Sequence, residues 1–305
     1  MKGRLAGFIF LAALVVFLLT GIRASREPAL PGAGGEGPPS PALRGGPELP
    51  GAGFLRRAWT PPPTIGARSA LVGDLRNGEV FFEVRADADW PIASLTKLMT
   101  AAVVLERFDL ERTITLAESD FALGRNSSHG TLAPGETYAG RDLLALMLLP
   151  SANEAAEAFA RVYGRDEFVA AMNATAAGWG LARTHFTDPS GLARDNRSTA
   201  AELLRLAIAL EREYPDILAL TRAPATTVTE LTTGARKTVE SSHELAGRPD
   251  FLGGKTGTTL FAGENLITAF SYGSPALIII LGDTDRFGTT VRLFNWFTGD
   301  FKPGK

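Results

Sequence analysis

The sequence predicts a mixed α/β (α+β) fold, with one antiparallel sheet built from both ends of the folded region and an all-helical lobe inserted between them. Three observations predict it. Apolar runs flank an Asn77-Gly78 pair near the start of the folded region, amphipathic helical patterns fill the middle, and strand-like sequence returns after Ala225 before a last helix. Strands, then helices, then strands require segments far apart in sequence to share one sheet.

The composition fits a globular domain and excludes several functions. With 305 residues, 45% apolar and 21% charged, the chain can bury one large core or two modest ones. A formal net charge of −2 leaves no basic surplus for a phosphate backbone, so no nucleic-acid partner is expected. The absence of cysteine removes disulfides, iron-sulfur clusters and a thiol nucleophile.

Leu5 to Ile22 is an uncharged apolar run between Lys2 and Arg4 on one side and Arg23 and Arg26 on the other. Residues 1–26 are expected to be a signal peptide or an N-terminal membrane anchor. The run is about long enough to span a bilayer, and Ile22-Arg23-Ala24 is a poor cleavage site, which favours the anchor. The positive-inside bias then puts the remainder outside the cytoplasm. Residues 27–64, rich in Pro, Gly and Ala, read as a disordered linker that could reach on the order of 100 Å when extended.

The folded domain is expected over 65–305. Ser69 to Leu75 and Val80 to Val84 form a hairpin across Asn77-Gly78. A helix follows, with Leu95, Leu98, Met99, Ala102, Val103 and Leu105 on its apolar face. Helices are predicted from Asp142 to Leu149, Asn153 to Tyr163, and Arg165 to Trp179, and a capping box at Thr199-Ala200-Ala201-Glu202 opens another to about Glu213. The helical lobe therefore spans about 103–222. Ala225 to Leu231, Lys237 to Glu240, Phe251 to Thr259, Asn265 to Tyr272 and Ala276 to Gly282 read as a meander, closed by a helix from about Phe287 to Phe297.

Chemistry is concentrated at Ser94-Leu95-Thr96-Lys97. A hydroxyl and an amine three residues apart at a helix start project from one face. Lysine faces the positive end of the macrodipole there, where an acid is preferred, and that field would favour the neutral amine a general base needs. The plainer alternative makes Ser94 an N-cap and Lys97 a solvated side chain. A Ser-x-x-Lys arises about once by chance in a chain of this size. Ser151-x-Asn153, between two helices, and Lys255-Thr256-Gly257, in a strand, are also weak alone: Ser151 could be a helix cap and Lys255 an edge-strand charge. All three motifs, in this order and in these settings, are a much stronger signal. His129, His185 and His243 have no acid partner suggested by spacing, and Asp188 reads as a turn former before Pro189.

The chain resembles the penicillin-binding proteins and serine β-lactamases, and most closely the low-molecular-mass D-alanyl-D-alanine carboxypeptidases, peptidase family S11. The likeness covers roughly Ala67 to Phe297. It is carried by Pro91 to Thr100, Leu149 to Ala156, Asp188-Pro189-Ser190-Gly191-Leu192 and Gly254-Lys255-Thr256-Gly257-Thr258. It implies a β-lactamase/transpeptidase-like fold with Ser94 as acylated nucleophile, Lys97 as its general base, Ser151 as proton relay and Lys255 as a nearby positive charge. It further implies that Asn153, Thr256, Gly257 and Thr258 bind substrate, that the backbone N–H groups of Ser94 and Thr258 form the oxyanion hole, and that no metal or cofactor is needed. Gly253, Gly254 and Gly257 would let a peptide approach an exposed sheet edge.

The function implied is a serine-type D-alanyl-D-alanine carboxypeptidase that trims peptidoglycan stem peptides ending in D-Ala-D-Ala, is acylated by β-lactam antibiotics, and is held at the outer face of the bacterial cytoplasmic membrane. Endopeptidase cleavage of D-Ala cross-links uses the same motifs. A β-lactamase would share them too, but class A enzymes of that kind use a glutamate after the second motif, and Val169 to Ala201 contains none. A non-catalytic penicillin sensor ranks below these.

Overall fold

A computed structural model describes residues 53–122 and 132–304. The expected anchor over 1–26, the linker as far as residue 52, and His129 lie outside the described residues. The described residues open with β1 (Phe54–Arg56), β2 (Ser69–Asp74) and β3 (Val80–Val84), then β4 (Trp90–Pro91). Gly78 adopts φ +77°, the left-handed turn conformation that Asn-Gly supplies. A 3₁₀ turn at Ala93–Leu95 runs straight into α1 (Thr96–Arg107).

The inserted body then runs through β5 (Thr113–Thr115), β6 (Thr137–Ala139), α2 (Gly140–Leu148), α3 (Asn153–Tyr163), α4 (Arg165–Gly178), β7 (Arg197–Ser198), α5 (Ala200–Glu213) and α6 (Asp216–Thr221). After it come β8 (Ala225–Thr229), β9 (Arg236–Glu240), β10 (Phe251–Thr259), β11 (Gly263–Tyr272), β12 (Ser274–Asp283), α7 (Arg286–Asp300) and β13 (Phe301–Pro303). Thr199 caps α5 by accepting from the Glu202 N–H, but the Glu202 carboxylate turns to the Arg183 N–H and the Thr184 hydroxyl instead of closing the box.

The central sheet has the order β10-β11-β12-β2-β3 and is antiparallel throughout. β12 lies in the middle, and Ala276 to Leu281 are fully buried because both faces are covered. Period-two alternation divides them. Leu277, Ile279 and Leu281 join Leu71 and Ile267 against the helical body, whereas Ala276, Ile278 and Ile280 join Ala70 and Val72 against Leu293, Phe294 and Phe297 of α7. The sheet thus separates two apolar cores and leaves β10 as one of its two edges.

Three expectations need correction. The linker does not reach Thr64: Phe54–Arg56 pairs with Phe301–Pro303, and Phe54 packs against Phe81 and Phe297 at 5.4 and 4.8 Å. A single buried aromatic among prolines and glycines carries no periodicity, so its strand was invisible. The insertion is not wholly helical, because β5 and β6 pair within it. The β8–β9 hairpin forms a separate two-stranded sheet, and the meander comprises only β10, β11 and β12.

Candidate active site

Ser94 lies on the 3₁₀ turn and Lys97 in the first turn of α1, so the two side chains share one face as their spacing predicts. Lys97 Nζ donates to Ser94 Oγ at 2.9 Å, to Asn153 Oδ1 at 2.7 Å and to the Ser190 carbonyl at 2.6 Å. The lysine is 0% exposed. Burial pulls its pKa down to about 7, while Asp188, Glu154 and Glu157 pull the other way. The helix field inferred from sequence is therefore not the leading cause. Desolvation is.

Ser151 opens the turn between α2 and α3 with φ +67°, a conformation that a non-glycine residue occupies only under tertiary constraint. Its hydroxyl accepts from Lys255 Nζ at 2.8 Å, and Asn153 begins α3 with its amide oxygen on Lys97. Lys255 is 1% exposed, and its pKa is lowered well below the usual lysine value by burial first, then by the charges of Lys97 and Arg286. Two buried amines, both with lowered pKa, thus each hold one serine hydroxyl.

Two segments frame this pair of serines. The loop Asp188–Asn196 is built on its first residue: Asp188 accepts from the N–H groups of Ser190, Gly191 and Ala193 and from the Ser190 hydroxyl. Asp188 is thus a turn former, and it presents the Ser190 carbonyl to Lys97. Asn196 ties the loop to α1 through Thr96 Oγ1 at 3.0 Å. On the other side runs β10. A Cβ on Gly257 would lie 2.9 Å from the Ile92 carbonyl and 3.1 Å from Ser94 N, so the strand passes in contact with the Ser94 backbone. Gly253 and Gly254 make room in the same way for Leu218 of α6 and for Ile267 and His243. These glycines chiefly admit neighbouring parts of the chain itself, not an incoming peptide as the sequence suggested.

Thr256 Oγ1 shares a 2.7 Å hydrogen bond with Ser242, and Thr258 Oγ1 accepts from Arg286 at 2.6 Å. Arg286 also reaches the Gly257 carbonyl at 3.3 Å, and its buried Nε has no partner among the described residues. Neither Ser242 nor Arg286 was legible in the sequence, because each reaches β10 from a separate element with no local motif. His243 is buried behind β10, with Nε2 3.0 Å from Thr268 Oγ1, and burial lowers its pKa to about 3. It is a neutral packing residue. Among the described residues no group of His, Cys, Asp and Glu is arranged to hold a metal ion.

A serine-lysine pair at the head of a buried helix and a second such pair, whose lysine comes from an edge strand, are the arrangement of a serine hydrolase. The sequence pattern of the Peptidase S11 family, D-alanyl-D-alanine carboxypeptidase, matches residues 57–285. The D-alanyl-D-alanine endopeptidase of Pseudomonas aeruginosa is 34% identical over 256 residues, covering 78% of this chain and 81% of that one. Among solved structures, the D-alanyl-D-alanine carboxypeptidase of Mycobacterium tuberculosis H37Rv superposes with a TM-score of 0.72 at 30% identity, covering 80% of this chain and 95% of that one. Penicillin-binding protein D2 of Listeria monocytogenes, in its ampicillin-bound form, gives 0.67 at 32% identity, covering 77% and 98%. The chain belongs to the D-alanyl-D-alanine carboxypeptidase family of serine peptidases.

Proposed function

We propose that this chain is a D-alanyl-D-alanine carboxypeptidase that removes the terminal D-Ala of peptidoglycan stem peptides through a Ser94 acyl-enzyme. The observation that carries this reading is the buried Lys97 amine on Ser94 Oγ at 2.9 Å beside the unpaired edge of β10. A peptide aligned along that edge would place its last amide over Ser94. Neutral Lys97 would take the hydroxyl proton as Oγ bonds to the carbonyl carbon, and the resulting oxyanion would sit between the N–H groups of Ser94 and Thr258. When the C–N bond breaks, Ser151 would hand its proton to the departing amine and recover the one that Lys97 took from Ser94, with Lys255, its 2.8 Å partner, supplying positive charge nearby. Water then releases the acyl group as a carboxylic acid.

The terminal carboxylate would meet Thr256, Thr258 and Arg286, where hydroxyls and a cation converge. Asn153 would hold both Lys97 and a substrate amide. β-Lactams would acylate the same serine, as the ampicillin complex of the Listeria protein suggests by likeness. Of the three acids whose charges act on Lys97, Asp188, Glu154 and Glu157, the first is held by its own loop and the last by Arg165 at 3.1 Å and by Ser190. We therefore expect slow release of the penicilloyl group.

Cleavage of D-Ala cross-links is the second reading, favoured by the endopeptidase relative from Pseudomonas. We extend the proposal to place the domain on the outer face of the cytoplasmic membrane, tethered by Leu5 to Ile22 with its basic flanks. Among the described residues no helix is long and apolar enough to cross a membrane. The test is to incubate the chain with a D-Ala-D-Ala pentapeptide, a cross-linked muropeptide dimer and a fluorescent penicillin, with Ser94→Ala as control. D-Ala release and Ser94-dependent labelling are expected. Absence of both would overturn the reading, and faster cleavage of the dimer than of the pentapeptide would transfer it to the endopeptidase.

A further inference from the structure

The turn that joins β10 to β11 places two large apolar side chains in water beside the active site. Leu260 is 94% exposed and Phe261 is 55% exposed. The turn holding them is tied down: the Ala262 N–H donates to Thr259 Oγ1 at 3.1 Å, and Trp90 Nε1 donates to the Ala262 carbonyl at 2.8 Å. A fixed turn that leaves a leucine almost wholly solvated keeps apolar surface available at a cost in stability.

Facing the turn is the Asp188–Asn196 loop. The Arg194 guanidinium of that loop lies 5.2 Å from the Phe261 ring centroid. Arg194 is exposed, and no carboxylate among the described residues pairs with it. The same loop approaches Ser94 so closely that a Cβ on Gly191 would stand 2.9 Å from Ser94 N. Arg194, on the loop that presses on the Ser94 turn, thus meets Phe261 just past the end of β10, with Leu260 exposed beside it in the chain.

The direction of β10 says which part of a substrate would meet these residues. Lys255 and Ser151 mark the leaving-amine side, and Thr258 lies beside the carbonyl to be attacked. β10 continues one residue past Thr258 before the turn begins at Leu260, so the turn lies on the acyl side, roughly 3–7 Å beyond Thr258. A peptide paired with the edge presents there the side chain one or two positions before the acylated residue, which in a stem pentapeptide is the third residue.

We infer that Leu260, Phe261 and Arg194 form a specificity site for the third residue of the stem peptide, and that it selects a long aliphatic side chain ending in a carboxylate. The methylene chain would lie on Leu260 and Phe261. The carboxylate would pair with the guanidinium, which the aromatic ring already orients. A side chain of similar length that ends only in an ammonium group would gain the apolar contact and meet repulsion from Arg194. This rests on the proposed peptidase reading and assigns the substrate class of that site.

The test uses the full chain in detergent and two synthetic pentapeptides identical except at the third residue, one lysyl and one diaminopimelyl. The diaminopimelyl peptide is expected to show a kcat/KM at least tenfold higher. Arg194→Gln should remove most of that preference by slowing the diaminopimelyl peptide, and Leu260→Ser should lower kcat/KM for both peptides several-fold. Both positions are exposed, so a folding defect is not expected, and an unchanged melting midpoint checks this. Equal rates for the two wild-type peptides, or a preference that survives Arg194→Gln, would overturn the inference and leave the peptidase reading standing. Cleavage of neither peptide would overturn both.

Discussion

The chemistry of Lys97 depends on its surroundings. A buried amine is costly to charge, and with the pKa near 7 half of the molecules carry the free base at neutral pH. The sign follows directly. Acylation needs the unprotonated amine, so the second-order rate of penicillin labelling should rise about tenfold per unit up to pH 7 and level off above it. Stopped-flow labelling between pH 5 and 9 measures this, and a flat profile would remove Lys97 as the base. Arg286 offers a second test. If its guanidinium and Thr258 hold the substrate carboxylate together, Arg286→Ala should reduce kcat/KM for the pentapeptide by tenfold or more, with Arg286→Lys recovering only part because it lacks the planar fork. Equal losses on a substrate whose terminal carboxylate is amidated would show that the side chain acts some other way. Lys97 could be located from the sequence by its spacing to Ser94, a local property of a helix. Arg286 could not, since only the folded sheet brings the start of α7 to Thr258.

At the scale of elements, the site is a set of backbones pressed together, and the glycines record where. Gly191 has φ +88°, and a Cβ there would stand 2.0 Å from the Ala93 carbonyl and 2.9 Å from Ser94 N. The Asp188–Asn196 loop and the Ser94 turn therefore cannot keep their present separation if Gly191 gains a methyl group. Gly191→Ala is expected to destabilise the fold by roughly 2–5 kcal/mol, from backbone strain and overpacking together. It should also slow labelling of Ser94, because the displaced atoms belong to the turn that carries Ser94. Urea unfolding and labelling rates test the two effects, and an unchanged unfolding midpoint would show that the loop yields freely. Most elements around this contact were legible: the Asn77-Gly78 hairpin, the helix from Asn153 to Tyr163, and the β10–β12 meander follow from periodicity and turn chemistry. The β5–β6 pair was not, because strands of three residues carry no pattern and form only through each other and the helices they rest on.

For the molecule as a whole, the five-stranded sheet divides the side that holds Ser94 and its lysines from a second core that closes the two ends of the described chain. On that second side Phe54 sits among Phe81, Tyr272 and Phe297, and Thr60 holds the buried Asp300 through its N–H and hydroxyl. Arg57 adds backbone and side-chain bonds to Asp300 and Thr298. A domain cut at Thr64, where composition alone sets the boundary, loses all of these and leaves the Asp300 carboxylate without its Thr60 donors. Burying the Phe54 ring is by itself worth about 2–3 kcal/mol. For a domain of this size that corresponds to a fall in melting temperature of about 5–10 °C relative to a chain beginning at Gly53. Penicillin labelling at 25 °C should proceed at the same rate in both, because Ser94 and its lysines lie across the sheet from the lost strand. Scanning calorimetry of the two chains decides the matter. Coincident melting curves would mean that β1 adds nothing to the closure of the fold, and slower labelling in the shorter chain would mean that the two sides of the sheet are coupled.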